Sequence, residues 1–231
     1  MDLSLQLHDE LQCHGADLIG FGDLTALPIE SRQGLPTGVA VAVKLPKEVM
    51  RGIADLPTQA YYHQYSLLND LLDGIVGAGA ALLRQAGYRA VAQTRQYVNQ
   101  FMVNNITPLP HKTVATRAGL GWIGKSALLV TPEYGSMVRI SSLLTDAPLP
   151  CAAPVEESRC DACEACMRAC PGGAISGRLW RAGLPREAFF DARACEETTL
   201  VRSLAGFGEA ATLCGKCIVV CPWTKKYLDA D

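Results

Sequence analysis

Cys160, Cys163, Cys166 and Cys170 stand at C-x2-C-x2-C-x3-C spacing with Pro171 behind them, and Cys214, Cys217 and Cys221 repeat a shorter C-x2-C-x3-C run ahead of Pro222. Thiols this close in one loop can turn three thiolates toward three corners of an iron-sulfur cubane. The loop is too short to reach the fourth iron, so the last ligand must come from elsewhere. Where two such half-motifs share a domain, the cysteine ahead of each proline ligates the cluster of the other half. The chemistry is then electron transfer, one electron at a time, through two 4Fe-4S clusters. Cluster one takes Cys160, Cys163, Cys166 and Cys221. Cluster two takes Cys170, Cys214 and Cys217, and Cys195, the one other cysteine in this part of the chain, is the candidate for its fourth ligand.

Zinc and disulfides explain the pattern less well. Zinc favours tetrahedral sites built from paired C-x2-C segments, and disulfides favour secreted chains. Neither accounts for a third cysteine three residues on, nor for a Cys-Pro pair closing both runs. Cys13 and Cys151 lie outside the pattern and take no role, since a lone cysteine is more often a small apolar residue than a reactive one.

The elements that must position these thiols follow from periodicity. Residues 2–13 read as a helix, 17–22 as a strand, and 37–45 as a strand apolar at nearly every position, hence buried on both faces. Residues 58–86 carry apolar positions at helical spacing, with Gly74, Gly77 and Gly79 weakening the middle, and 89–94 reads as a further strand. The segment 127–144 reads as a hairpin turning at Pro132–Gly135. A mixed sheet covered by helices is the expected architecture for residues 1–150, and the prolines at 148, 150 and 154 mark the boundary to a cluster-binding domain over 151–231.

Composition sets further bounds. The chain has 231 residues, 49% of them hydrophobic and 19% charged, with a net charge of −2, enough for one large domain or two modest ones. The amino terminus lacks a basic and then apolar leader, and the apolar stretch Leu71–Leu83 contains Asp73 and falls short of the roughly 18 residues of a membrane span. Ten cysteines without an export signal point to a reducing cytoplasm, with no membrane partner.

Charge is uneven. No acidic residue lies between Asp73 and Glu133, while Arg84, Arg89, Arg95, Lys112, Arg117 and Lys125 do, which suggests either an anion site or a solvated basic face. Tyr97, Phe101, His111 and Trp122 fall in the same span. Within it, residues 119–126 (GLGWIGKS) match the G-x-x-x-x-G-K-[ST] nucleotide loop letter for letter. A phosphate cradle needs a strand entering and a helix leaving the loop. The residues after Ser126 read as a strand, so the glycines are assigned instead to close approach of the backbone to another element or to a ligand.

The stretch RAGLGWIGKSALLVTPEYGS, then LLTD, the first cysteine run ending in CPGGAI, Cys195 within FFDARAC, and CGKCIVVCPW together resemble the epoxyqueuosine reductase family, strongly over about residues 110–224. The resemblance implies an α+β fold: a nitroreductase-like mixed sheet with covering helices followed by a two-4Fe-4S bacterial ferredoxin-like domain. It also implies Cys195 as the fourth ligand of cluster two and a cobalamin, less readily a flavin mononucleotide, in the first domain. Lys112, Arg117 and Lys125 would face that cofactor's phosphate or propionamide groups, with Trp122 beside it. Three features depart from the family, one of them a short amino-terminal half. The family's aspartate, the presumed proton donor, is replaced by the carboxylate-free run Pro108–Thr113, where His111 or a tyrosine would substitute, and the helical extension used toward tRNA does not follow Pro222. The expected function is therefore an iron-sulfur oxidoreductase feeding a corrinoid, drawing on a low-potential donor such as a ferredoxin or flavodoxin. The alternative is a stand-alone electron-transfer protein serving a separate corrinoid or flavin protein, and epoxide reduction on tRNA ranks last.

Overall fold

The computed structural model describes residues 2–102 and 107–230, and the chain in it forms two compact units. The first comprises Met1–Val43, Leu67–Gly121 and Arg139–Val155; the second comprises Lys44–Ser66, Trp122–Val138 and Glu156–Asp231. In chain order the elements are α1 (Leu3–Cys13), β1 (Leu18–Asp23), β2 (Thr37–Lys44), α2 (Lys47–Arg51), α3 (Gln59–Gln85), β3 (Ala90–Ala92), α4 (Arg95–Phe101) and α5 (His111–Arg117). Then come β4 (Trp122–Ile123), β5 (Leu129–Val130), β6 (Val138–Thr145), α6 (Ala165–Ala169), α7 (Ala192–Phe207), α8 (Lys216–Val219) and α9 (Pro222–Asp229).

The first unit is built on a four-stranded sheet in the order β1-β2-β6-β3, with β1 antiparallel to β2 and β3 antiparallel to β6. β2 is buried from Thr37 to Val43, as its unbroken run of Gly, Val and Ala requires of an interior strand. α5 lies on this sheet so closely that side chains are excluded beneath it. A Cβ on Gly22 would stand 2.6 Å from the Ala118 nitrogen, and one on Gly38 2.6 Å from Val114 Cγ1.

α3 runs unbroken for 27 residues, through the glycines expected to weaken it. By length and composition it passes for a membrane span, with a mean hydropathy of 1.4 over its most apolar 18-residue window, so the sequence estimate from Leu71–Leu83 was too short. Its buried residues Leu68, Leu72, Ile75, Val76, Ala80 and Leu83 recur every three or four positions, the stripe of a helix laid on a core. Gly79 sits in that stripe because α1 passes there: a Cβ would meet Leu11 Cδ2 at 2.7 Å and Leu143 Cδ2 at 3.0 Å. The helical propensity lost at one glycine, about 1 kcal/mol, is small beside the overpacking a side chain would cause.

The second unit corrects the expected hairpin. The turn forms, with Thr131 and Gly135 exchanging backbone hydrogen bonds of 2.9 and 3.0 Å. Its arms, however, part company. β5 pairs with β4 (Trp122↔Val130, Ile123↔Leu129), whereas β6 enters the four-stranded sheet between β2 and β3. The physical reason is length, since β5 has two residues to offer and β6, at eight, finds a full ladder elsewhere. α7 is capped at both ends, by Asp191 accepting from the Ala194 N–H at 3.0 Å and by Gly208 in the left-handed region at φ 80°. α6 and α8, the short helices inside the two cysteine runs, pack on each other.

Candidate metal centre

The first cysteine loop is a tight turn: the Cys163 N–H donates to the Cys160 carbonyl at 2.9 Å, and Asp161 adopts φ 42°. Cys166 then sits in the first turn of α6 and Cys170 ends it. The loop is held from below by Lys125, which is 5% exposed and whose Nζ donates to the carbonyls of Asp161 at 2.9 Å and Cys163 at 2.8 Å. Gly124 brings it there, since a Cβ at that position would meet Val130 Cγ2 at 2.8 Å and stand 3.6 Å from Cys160 Sγ. The nucleotide-loop lettering is thus the underside of a cysteine loop. No helix leaves Ser126, in keeping with the strand read there from sequence.

The other thiols arrive by similar close packing. Gly172, in the CPGG phrase, would collide with Thr198 Oγ1 (2.2 Å) if it carried a Cβ, and this approach lays Cys170 against the start of α7, where Cys195 sits. Gly215, at φ 76° between Cys214 and Cys217, presses against Ile53 and Tyr61. Cys221 caps α9, with Pro222 in the first helical position, where a missing N–H costs nothing.

Four of the eight cysteines, Cys166, Cys195, Cys217 and Cys221, have thiols held above the ordinary range, and the causes name their neighbours. Burial pushes the Cys166 thiol up to about 11, followed by the neighbouring charges of Cys160, Cys221 and Cys163. Cys195 is likewise pushed up to about 11, by burial and then by Cys170 and Cys214. Cys217 is raised by burial, then by Cys214 and Cys195 ahead of Cys166 and Cys170. Burial also raises Cys221, opposed by N–H groups of Thr224 and Trp223 directed at its sulfur. Cys160, Cys163, Cys166 and Cys221, together with Cys217, line a cavity of about 260 Å³ walled by Val130, Pro222 and Trp223. Among the described residues, no three His, Cys, Asp or Glu side chains converge as ligands of a single ion. Zinc bonds of about 2.3 Å would draw sulfurs to about 3.8 Å of one another, whereas these thiols surround a space. Crowded, half-buried thiols, with Cys166, Cys195 and Cys217 pushed up by burial, need a cationic group among them to exist as thiolates, so the residues fit a polynuclear cluster.

Two buried polar atoms of this unit have no protein partner among the described residues, Trp122 Nε1 and Ser158 Oγ. Trp122 is fully buried, edge-on to Trp223 at 5.0 Å between ring centroids, with the Arg159 guanidinium 5.6 Å from its ring centre. Of the residues assigned to a cofactor from sequence, Trp122 and Lys125 therefore belong to the cysteine-rich unit, and Lys112 and Arg117 to the other, on α5. Arg117 Nε donates to the Asp23 carbonyl at 2.7 Å. The remaining cations of the acid-free span have partners of their own: Arg84 on the Ala90 carbonyl, Arg89 on Asp146, and Arg95 on Asp73 and Asp70. Sequence reasoning missed Arg202. Its Nε donates to Cys214 Sγ at 3.2 Å, and no motif marks it.

In the first unit, Tyr97 and Phe101 do line a cavity, of about 210 Å³, with Gln93, Val98, Pro108 and Leu109 among its walls. Behind it the Ser142 hydroxyl lies 2.5 Å from Gln93 Oε1 and 2.9 Å from His111 Nδ1. As a donor to the amide oxygen, that hydroxyl accepts from Nδ1–H, and burial of the ring favours the neutral Nδ1–H tautomer over the imidazolium. Burial, and secondarily Arg139, lower the His111 pKa to about 4 against the opposing pull of Asp73.

Residues 159–224 match the family described as 4Fe-4S double cluster binding domain. Epoxyqueuosine reductase of Aliivibrio fischeri is 32% identical over 180 residues, covering 74% of this chain; the chain spans 44% of that relative's length. Among solved structures, an epoxyqueuosine reductase with a tRNA-Tyr epoxyqueuosine-modified stem loop superposes with a TM-score of 0.61 at 22% identity, covering 96% of this chain and 65% of that one. A reductive dehalogenase, whose structure was described as suggesting a mechanism for B12-dependent dehalogenation, gives 0.72 at 20% identity, covering 94% and 31%. With its ordered motifs, its fold and its paired cysteine runs in agreement, the chain belongs to the epoxyqueuosine reductase-like family and carries a double 4Fe-4S cluster binding domain.

Proposed function

We propose that the protein is an iron-sulfur oxidoreductase moving single electrons through two 4Fe-4S clusters, one on Cys160, Cys163, Cys166 and Cys221, the other on Cys170, Cys195, Cys214 and Cys217. The observation that carries this reading is the packing of α6 on α8, which brings the two cysteine runs together so that Cys160, Cys163 and Cys166 of the first share a cavity with Cys217 and Cys221 of the second. When bound, such clusters supply one-electron chemistry at a potential set by hydrogen bonding and exposure. The chain's own part is to crowd and bury the thiols, to fix the first loop through Lys125, and to direct N–H groups at the sulfurs of Cys221 and Cys214.

The acceptor in this proposal is a corrinoid held by a nitroreductase-like domain in residues 1–150, with Lys112 and Arg117 meeting its phosphate or propionamide groups. The likeness to the reductive dehalogenase supports it. A ferredoxin or flavodoxin in the cytoplasm would supply the electrons, and tRNA ranks last among the substrates, since the run Pro108–Thr113 offers no carboxylate. One observation favours a second reading, electron delivery to a separate corrinoid or flavin protein. The cavity lined by Tyr97 and Phe101, about 210 Å³, is below the roughly 300–1,000 Å³ that drug-sized ligands occupy, and a corrinoid is larger. Anaerobic reconstitution followed by gel filtration decides the matter. About eight irons per chain, as two cubanes require, together with a retained cobalamin spectrum support the first reading. Eight irons and cluster absorbance alone support the second, and zinc, or four irons or fewer, removes both.

A further inference from the structure

Cys195 and Arg202 are seven residues apart on α7, two turns at 3.6 residues each, so both side chains leave the same face of the helix. One supplies a thiol to the second of the two ligand sets proposed above. The other donates through Nε to the sulfur of Cys214 in that same set, at 3.2 Å. Another guanidinium nitrogen donates to the carbonyl of Asp55, and Lys216 Nζ, two residues beyond Cys214, donates to that of Ala54. The head group is therefore fixed at both ends, half-buried, against the segment after α2. The first set is served differently: Lys125 and Arg159 line its cavity, but Lys125 donates to loop carbonyls rather than to sulfur, whereas Arg202 donates to a ligand sulfur directly.

Resting on the two-cluster reading above, we infer that Arg202 raises the reduction potential of the cluster ligated by Cys170, Cys195, Cys214 and Cys217, and so separates it from its neighbour. A guanidinium stays protonated at every accessible pH. Its fixed positive charge and its N–H···S bond both stabilise the reduced cluster, which carries one more negative charge, over the oxidised one. Hydrogen bonds to cluster sulfurs and net charge are the established controls of potential.

The test is an anaerobic redox titration of the full chain, reconstituted with iron and sulfide and followed by electron paramagnetic resonance, for wild type, Arg202→Gln and Arg202→Lys. Cys214→Ser, which alters the signal of the cluster it ligates, identifies that cluster's potential. The neutral R202Q is expected to shift that cluster's reduction equilibrium at least tenfold toward the oxidised form, which is about 59 mV for a one-electron couple, while the other cluster moves far less. R202K, which keeps the charge, is expected to retain most of the wild-type potential. No shift in R202Q, an equal shift in both clusters, or R202K falling as far as R202Q would each overturn the inference. Loss of about four irons from both variants would do the same, by making Arg202 a structural clip. Fewer than about eight irons in the wild type would instead sink the two-cluster reading, before any variant is compared.

Discussion

Replacing Lys125 with methionine keeps the apolar stem of the side chain and removes the ammonium that grips the first cysteine loop. Two hydrogen bonds are lost, to the Asp161 carbonyl at 2.9 Å and to the Cys163 carbonyl at 2.8 Å. Bonds to a charged group contribute about 1.5–3 kcal/mol each, and an orphaned buried carbonyl retains the cost of its desolvation. Some of the loss is recovered when water reaches the carbonyls and the buried ammonium no longer has to be desolvated, leaving about 2–4 kcal/mol against the loop's closed form. At 1.4 kcal/mol per decade, that opens the loop roughly 30- to 700-fold more often. Iron release to a chelator under anaerobic conditions reads this directly when the loop recloses faster than the chelator captures metal. About half the iron in K125M is expected to leave at least 30-fold faster than in the wild type, and the rest at nearly the wild-type rate. Release at the wild-type rate for all the iron would refute the role given to Lys125, and loss of nucleotide binding in K125M would restore the phosphate-loop reading of residues 119–126.

Gly135 stands at φ 58° with its α-carbon so near α9 that an added Cβ would lie 2.3 Å from the Thr224 nitrogen. Gly135→Ala is expected to destabilise the protein by about 2–4 kcal/mol, combining left-handed strain with overpacking, and to loosen iron at Cys221. A denaturation midpoint equal to wild type would show that the turn is not pressed on the helix. His111 gives a pH dependence. Its pKa is depressed in the folded protein, to about 4 from 6.5, so the folded state binds fewer protons than the unfolded chain in that interval. Stability is therefore full above pH 6.5 and falls as pH drops through the interval, by on the order of 2–3 kcal/mol at pH 4. His111→Asn should flatten that part of the curve of denaturation midpoint against pH, and parallel curves for the two proteins would contradict the buried neutral imidazole.

The double-cluster domain and β2 were legible because each announces itself locally, in cysteine spacing or in an unbroken apolar run. Glycine was only half legible. The sequence could say that Gly79 weakens a helix and that Gly124 permits close approach, but not that Leu11 and Leu143 crowd the one and Val130 the other. Lys125 was singled out as a cation for a bound cofactor, not as the prop of a cysteine loop, because its carbonyl partners lie 36 and 38 positions away and leave no periodic trace. Arg202 is harder still. It is one of two arginines on α7, and what distinguishes it is a sulfur brought within 3.2 Å by a loop twelve residues on. The hairpin expectation failed for a related reason, because a turn's residues specify the turn and not which sheet each arm will join.

The cysteine-rich unit recruits Lys44–Ser66 and Trp122–Val138 from far upstream. Arg202 and Lys216 are moored to Ala54 and Asp55, and Asp161 and Cys163 to Lys125. A fragment excised at residue 151 would keep every ligand thiol yet forfeit the anchors on which both loops rest. In evolutionary terms this cysteine-rich module is not a cassette to be shuffled between hosts: its transfer to another protein would have to bring along pieces of the scaffold into which it is woven.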